Sequence, residues 1–172
     1  MNNINFNMCM SFLNWDSIYV GIKEDILTAD SAVLYASEFV EKCSHIDSPG
    51  AIQILIEDNI NKDSILPLIC EIADMHKASI KQINDAKRVL RYAFLLTLKN
   101  ESANRLKLLE GAEEIYATFG YPKDMENFIP YMPANDNYDP STHSTDENVQ
   151  HLIDNFDDFM TSELKWINRR RR

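Results

Sequence analysis

Glycine is scarce, with four in 172 residues. That is too few for an all-β chain or for glycine-rich phosphate loops. No G-x-S-x-G, P-loop or G-x-G-x-x-G pattern occurs, so the familiar nucleophile and nucleotide-binding signatures are missing. Cysteine is also sparse. Cys9, Cys43 and Cys70 form an odd count without a C-x-x-C, which argues against a disulfide framework and predicts reduced, buried thiols in a cytosolic protein. Nothing supplies Cys43 or Cys70 with the cationic neighbourhood of a catalytic thiolate. No apolar run approaches the ~20 residues of a membrane-spanning helix. Met1 to Leu13 lacks a basic n-region and an A-x-A site, so no signal peptide is expected. Cations are missing over one long interval: from Lys123 to Lys165 there is no intervening Lys or Arg.

What is present is an acidic chain of ordinary apolar content, 45% hydrophobic with a net charge of −10. Without Arg169 to Arg172, 13 basic residues face 27 acidic ones. Such a body repels nucleic-acid phosphates and anionic lipid and suits a basic protein partner. The length fits one domain burying roughly 70% of its unfolded surface.

Helical periodicity dominates the chain, and the fold class it predicts is all-α: a compact bundle of six or seven helices with antiparallel neighbours. Residues 1–13 alternate loosely (Ile4, Phe6, Met8, Met10, Phe12) and read as an arm or short edge strand. Residues 14–168 read as a single helical domain and 169–172 as a basic tail. Asn14 caps a first helix with Trp15, Ile18, Tyr19 and Ile22 inward. Thr28 caps a second, carrying Ala32, Ala36, Phe39, Val40 and Cys43. Ser48-Pro49 opens a third over Ala51 to Ile60, with Ile52, Leu55, Ile56 and Ile60 on one face. Asp63-Ser64 starts a fourth, with Pro67 in its first turn. Asn84-Asp85 is expected to cap the next. That helix is apolar nearly all round from Val89 to Leu98 apart from Arg91, and so is the central element. The following helix ends at Gly120, a C′ residue. Ser144-x-x-Glu147 has capping-box spacing for the last helix. His45 and His76 stand near helix ends, where their charge complements the dipole.

Between these last two helices runs Phe119 to His143, with Pro122, Pro130, Pro133 and Pro140 and with Tyr121, Tyr131 and Tyr138. Long structureless segments are usually functional or disordered, and disorder predicts few aromatics. We therefore expect an ordered strap, with Tyr121, Phe128 and Tyr131 buried against the two flanking helices. The strap opens the cation-free interval, which holds Asp124, Glu126, Asp136, Asp139, Asp146, Glu147, Asp154, Asp157, Asp158 and Glu163. One reading is a negative surface that steers a basic partner. The other is a solvated helix face with acids that favour helix N-termini. Asp139, His143, His151 and Asp154 are the residues a metal-dependent hydrolase would use, although no specific ligand spacing is present. Trp166 with Arg169 to Arg172 reads either as a hook for anionic surfaces or as a helix end whose cations complement the dipole.

The opening Asn14-Trp15-Asp16-Ser17-Ile18-Tyr19-Val20-Gly21-Ile22-Lys23, followed by Leu27-Thr28-Ala29-Asp30, starts a pattern that later stretches complete. These are Ile115 to Pro122, Phe128-Ile129-Pro130-Tyr131-Met132-Pro133 and Tyr138-Asp139-Pro140. Together they resemble the bacterial domain-of-unknown-function family 2247 from about Trp15 onward. The resemblance implies a small bacterial protein, of the kind associated with toxin–immunity loci. It carries over no catalytic residue, and the terminal arginines fall outside its pattern.

These readings converge on a non-enzymatic, cytoplasmic protein that binds a basic partner, of the immunity type that neutralises a toxin domain. The partner-binding residues expected are Tyr131, Asp136, Tyr138, Asp139, Asp154, Asp157 and Asp158, and neither metal nor cofactor is called for. The alternatives are the hydrolase above and a helical adaptor or structural protein with no toxin partner.

Overall fold

A computed structural model describes residues 4–42, 48–133 and 136–170. Among them the chain is all-α: α1 (Phe6–Cys9), α2 (Trp15–Lys23), α3 (Asp30–Lys42), α4 (Pro49–Leu55), α5 (Lys62–Ala73), α6 (Ile80–Glu101), α7 (Arg105–Thr118) and α8 (Thr145–Arg170). Three 3-10 turns, Met75–Lys77, Lys123–Phe128 and Pro140–Thr142, complete the described elements. One domain was expected over 14–168. The contacts gather into two compact units, residues 4–93 and a second that includes 94–170, and α6 supplies residues to both.

Within residues 4–93, the expected N-terminal arm or edge strand is a helical turn. Asn5 accepts the Met8 N–H at 3.2 Å, and Ile4, Phe6, Cys9 and Leu13 are buried. Their spacing by three and four residues beyond Phe6 fits a helix, so the apparent alternation was incidental. Asn14 caps α2 by accepting from Ser17 N–H at 3.0 Å. Trp15, Ile18 and Ile22 are buried as the helical spacing requires. The Trp15 ring meets Tyr35 of α3 edge-on at 4.7 Å, and Tyr35 donates to the Leu13 carbonyl.

Helix α4 is shorter than expected and turned differently. It stops at Leu55, and its buried residues are Ala51 and Ile54. Packing against both α3 and α5 selects that side. Ile52, Leu55, Ile56 and Ile60, which share the other side, are exposed, Ile56 at 72%. Asn61, rather than Asp63, caps α5 in a reciprocal pair with Ser64. Pro67 therefore lies past the first turn, and the helix forgoes one backbone bond there. Helix α6 begins four residues before Asn84, where Ser79 Oγ accepts from Gln82 N–H at 3.1 Å. His76 pairs with Glu71 at 2.6 Å instead of with helix-end carbonyls. Cys9 and Cys70 are buried and form no disulfide; Cys43 and His45 lie outside the described residues.

The stretch of α6 that is apolar all round is buried as expected: Leu90 to Leu95, Thr97 and Leu98, with Arg91 among them. In the second unit α7 buries Leu108, Leu109, Ala112, Ile115 and Tyr116, and α8 buries Phe156, Met160, Glu163 and Ile167. Ser144 and Glu147 form the anticipated capping box, Ser144 N–H to Glu147 Oε2 at 2.8 Å and Glu147 N–H to Ser144 Oγ at 3.3 Å. Arg169 and Arg170 close the last turn of α8, and the Arg170 guanidinium lies 4.8 Å from the Trp166 ring centre. Arg171 and Arg172 lie outside the described residues.

Candidate functional site

The strap between α7 and α8 begins with a backbone reversal. Phe119 is the C-cap of α7, and Gly120 follows with φ of 74°. Gly120 N–H donates to the Ala117 carbonyl at 3.0 Å and Tyr121 N–H to the Tyr116 carbonyl at 2.9 Å. This is the double-bonded helix stop in which a left-handed residue satisfies the last carbonyls. Tyr121 is itself left-handed, with φ of 60°.

Three apolar residues then pin the strap. Met125, Phe128 and Ile129 are fully buried. The Phe128 ring stands edge-on to Phe156 at 5.3 Å and 5.1 Å from Phe159, both on α8. The expected burial of Tyr121 and Tyr131 is overturned: they are 61% and 59% exposed. The 3-10 turn Lys123–Phe128 gives the inward positions to Met125 and Phe128. The tyrosines on either side of it are left outward. They are not isolated, because the buried Tyr116 ring meets Tyr121 edge-on at 5.2 Å and Tyr131 at 6.4 Å. Burial, then the Glu126 charge, raises the Tyr116 phenol above its ordinary range; partial desolvation by its neighbours, then the Glu113 charge, does the same to the largely exposed Tyr131.

Farther along, the strap closes against the start of α8. Tyr138 is stacked between two imidazoles, 3.7 Å from His151 and 4.4 Å from His143. Its hydroxyl donates to Asn148 Oδ1 at 2.8 Å, and Asn148 Nδ2 donates to the Pro140 carbonyl at 3.1 Å. His151 Nε2 faces Asp136 Oδ2 at 2.8 Å. Asn155 donates to Asp136 and to the Asn127 carbonyl, tying strap to helix a second time. Partial burial works to raise the Asp136 carboxyl. The Tyr138 N–H, the Asn155 amide and the His151 charge outweigh it and hold that carboxyl below its ordinary value. Asp139 is lowered by the Ser141 hydroxyl and N–H, and Glu147 by those of Ser144. Beside these groups lies a cleft of about 280 Å³, walled by Pro130, Met132, Pro140, Val149 and Leu152, with Tyr138, Asn148 and His151 at its polar side.

The residues considered for a metal are not assembled. His143 Nδ1 lies 2.9 Å from the Asp139 carbonyl and beside Thr142 Oγ1, and Asp139 Oδ1 accepts from Ser141. Asp154 accepts from Gln150 one turn back on α8. His151 is half-buried and committed to Asp136 and Tyr138. Among the described residues no group of three or more His, Cys, Asp and Glu is placed to hold a metal ion.

The acidic interval is less bare in space than in sequence. Asp157 pairs with Lys99 of α6 at 2.7 Å and Asp146 with Arg105 of α7 at 3.0 Å. Glu163 is only 2% exposed, which removes it from any surface. Asp136, Asp139, Asp154 and Asp158 remain exposed, whereas Tyr138 and Asp157 are half-buried. Reading the interval along the chain missed Lys99 and Arg105, which helix packing brings in from outside it. Helical spacing alone also missed the Asp136–His151 pair, whose members lie on different elements.

No curated protein and no solved structure matches the chain significantly. The profile of uncharacterized proteins conserved in bacteria, DUF2247, matches residues 4–164. With nearly its whole length so matched, from the first helical turn to the last turns of α8, the chain belongs to the DUF2247 family.

Proposed function

We propose that the chain is a non-enzymatic, cytoplasmic protein-binding protein that acts as an immunity-type inhibitor of a basic toxin domain. The observation that carries this reading is the strap. It is anchored by the fully buried Phe128 and Ile129, yet it displays Tyr131, Asp136 and Asp139 to solvent. A binding surface gains from being ordered beforehand, because less entropy is lost on association. Tyrosine offers large contact area with few torsions to freeze. Exposed Asp154 and Asp158 on α8 extend the same acidic character, and the second unit has fourteen acids against seven cations over residues 94–170. Complementary charge steers a basic partner and raises the association rate.

The test is rescue of growth. If a toxin domain is encoded beside this chain's gene, cells expressing it are expected to survive when the wild-type chain is co-expressed, and the two proteins to co-purify. Replacement of Tyr131 with Ala together with Asp158→Asn weakens both. Death of the cells despite abundant folded wild-type chain sinks the proposal.

A further inference from the structure

We propose that Tyr121 and Tyr131, flanking the buried Tyr116 beside Glu113 and Glu126, form a seat for an arginine side chain of the protein partner. This deepens the reading above and rests on it only for the partner's basic character. Four observations carry the seat. First, Tyr121 holds φ of 60° directly after the left-handed Gly120. For a bulky side chain that backbone costs energy, and such strain persists where the surrounding structure or function demands it. Second, the strained residue contributes little to a core, since its ring is 61% exposed. Third, the ring is nevertheless ordered: Tyr116, itself buried, meets it edge-on at 5.2 Å and meets Tyr131 at 6.4 Å. Tyr131 is stiffened from its own side by Pro130, whose φ is fixed. Two displayed aromatic faces on a buried third are thus fixed in advance of any ligand.

Fourth, carboxylates stand by the rings. The half-buried carboxylates of Glu113 and Glu126 act on the Tyr131 and Tyr116 hydroxyls respectively. Lys123 is the only cation in the sequence between Lys107 and Lys165, an interval that also holds Glu113, Glu114, Asp124 and Glu126. Aromatic faces attract cations through the ring quadrupole. A guanidinium suits the arrangement better than an ammonium. It is planar and can stack on tyrosine, it is more weakly hydrated, and its forked donors match carboxylates.

The probe is a blocked Gly-Arg-Gly peptide, with its citrulline and lysine counterparts as controls, titrated to millimolar concentration into the full chain. Tyrosine ring signals are followed by NMR. The arginine peptide is expected to shift the Tyr121 and Tyr131 rings saturably, the lysine peptide more weakly, and the neutral citrulline peptide not at all. Tyr131→Leu weakens the arginine peptide roughly threefold, the scale of an exposed cation–π contact. Glu113→Gln with Glu126→Gln weakens it further, while unchanged Phe128 and Phe156 ring signals verify that the strap stays folded. Equal response to citrulline, shifts confined to other residues, or no saturable shift overturns the seat. Toxin rescue separates the two claims. Rescue that survives the tyrosine and glutamate variants removes the seat but leaves the inhibitor; arginine binding without rescue keeps the seat and removes the inhibitor.

Discussion

Replacing Phe128 with alanine removes the ring that joins the strap to α8. Phe128 has no accessible surface and packs on Phe156 at 5.3 Å and Phe159 at 5.1 Å. Truncating a fully buried phenylalanine costs about 3–5 kcal/mol, from lost transfer energy and the cavity left behind. Against a typical stability of about 5–15 kcal/mol, that is a large share. At about 2–4 °C per kcal/mol for a chain of this size, Tm should fall by roughly 10 °C. Tyr131→Ala, three residues away, serves as the contrast. Its ring is 59% exposed, so Tm should move by roughly 2 °C or less. Thermal and urea unfolding followed by circular dichroism give the global effect. Hydrogen exchange at the amides of Ile129 and Met132, which donate to the Glu126 and Ile129 carbonyls, gives the local one. Exchange there should rise sharply in Phe128→Ala and stay slow in Tyr131→Ala. If the two variants lose equal stability, or if Phe128→Ala leaves exchange unchanged, Phe128 does not anchor the strap.

Acid should loosen the strap. The carboxyls of Asp136, Asp139 and Glu147 are all held below their ordinary values. Their contribution is thus complete above the unfolded carboxylate range, about 3.9–4.3, and is lost as pH falls through the lower folded values. Strap protection factors, which divide out the intrinsic pH dependence of amide exchange, should stay flat from pH 7 and then fall toward pH 3, and Asp136→Asn should reduce the fall. Ser144→Ala removes one half of the capping box and should cost about 1 kcal/mol in urea unfolding; an unchanged midpoint would mean the first turn of α8 does not need its cap. Asp158→Asn should slow association with the proposed basic partner at low salt more than Asp157→Asn, because Asp157 is already paired with Lys99. Stopped-flow rates that rank the two variants the other way contradict the steering argument.

Much of the architecture was legible because it depends on local chemistry. Asn14 as N-cap, Gly120 as helix stop and the Ser144 and Glu147 box each satisfy backbone groups within a few residues of themselves. The apolar run through Val89 to Leu98 could only be a central helix, since no orientation would place its rings and aliphatics all in water. The strap's place between two helices, and one of its anchors, Phe128, could also be read from the chain. Where the reading slipped, two local signals competed. Asn84-Asp85 resembles a cap, but Ser79 satisfies the amides first.

The sequence by itself determined the all-α class, most helix ends and the acidic excess, because capping, periodicity and charge are properties of neighbouring residues. Tertiary structure alone decided which apolar face is covered. Ala51 and Ile54 lie inside while Ile52, Leu55 and Ile56 face water, since α3 and α5 close over only one side of α4. It also decided which acids stay free, by bringing Lys99 and Arg105 to Asp157 and Asp146 and by burying Glu163. Finally, it turned Tyr121 and Tyr131 outward rather than in. Periodicity says which side chains share a face; only the packing of distant segments says what that face meets.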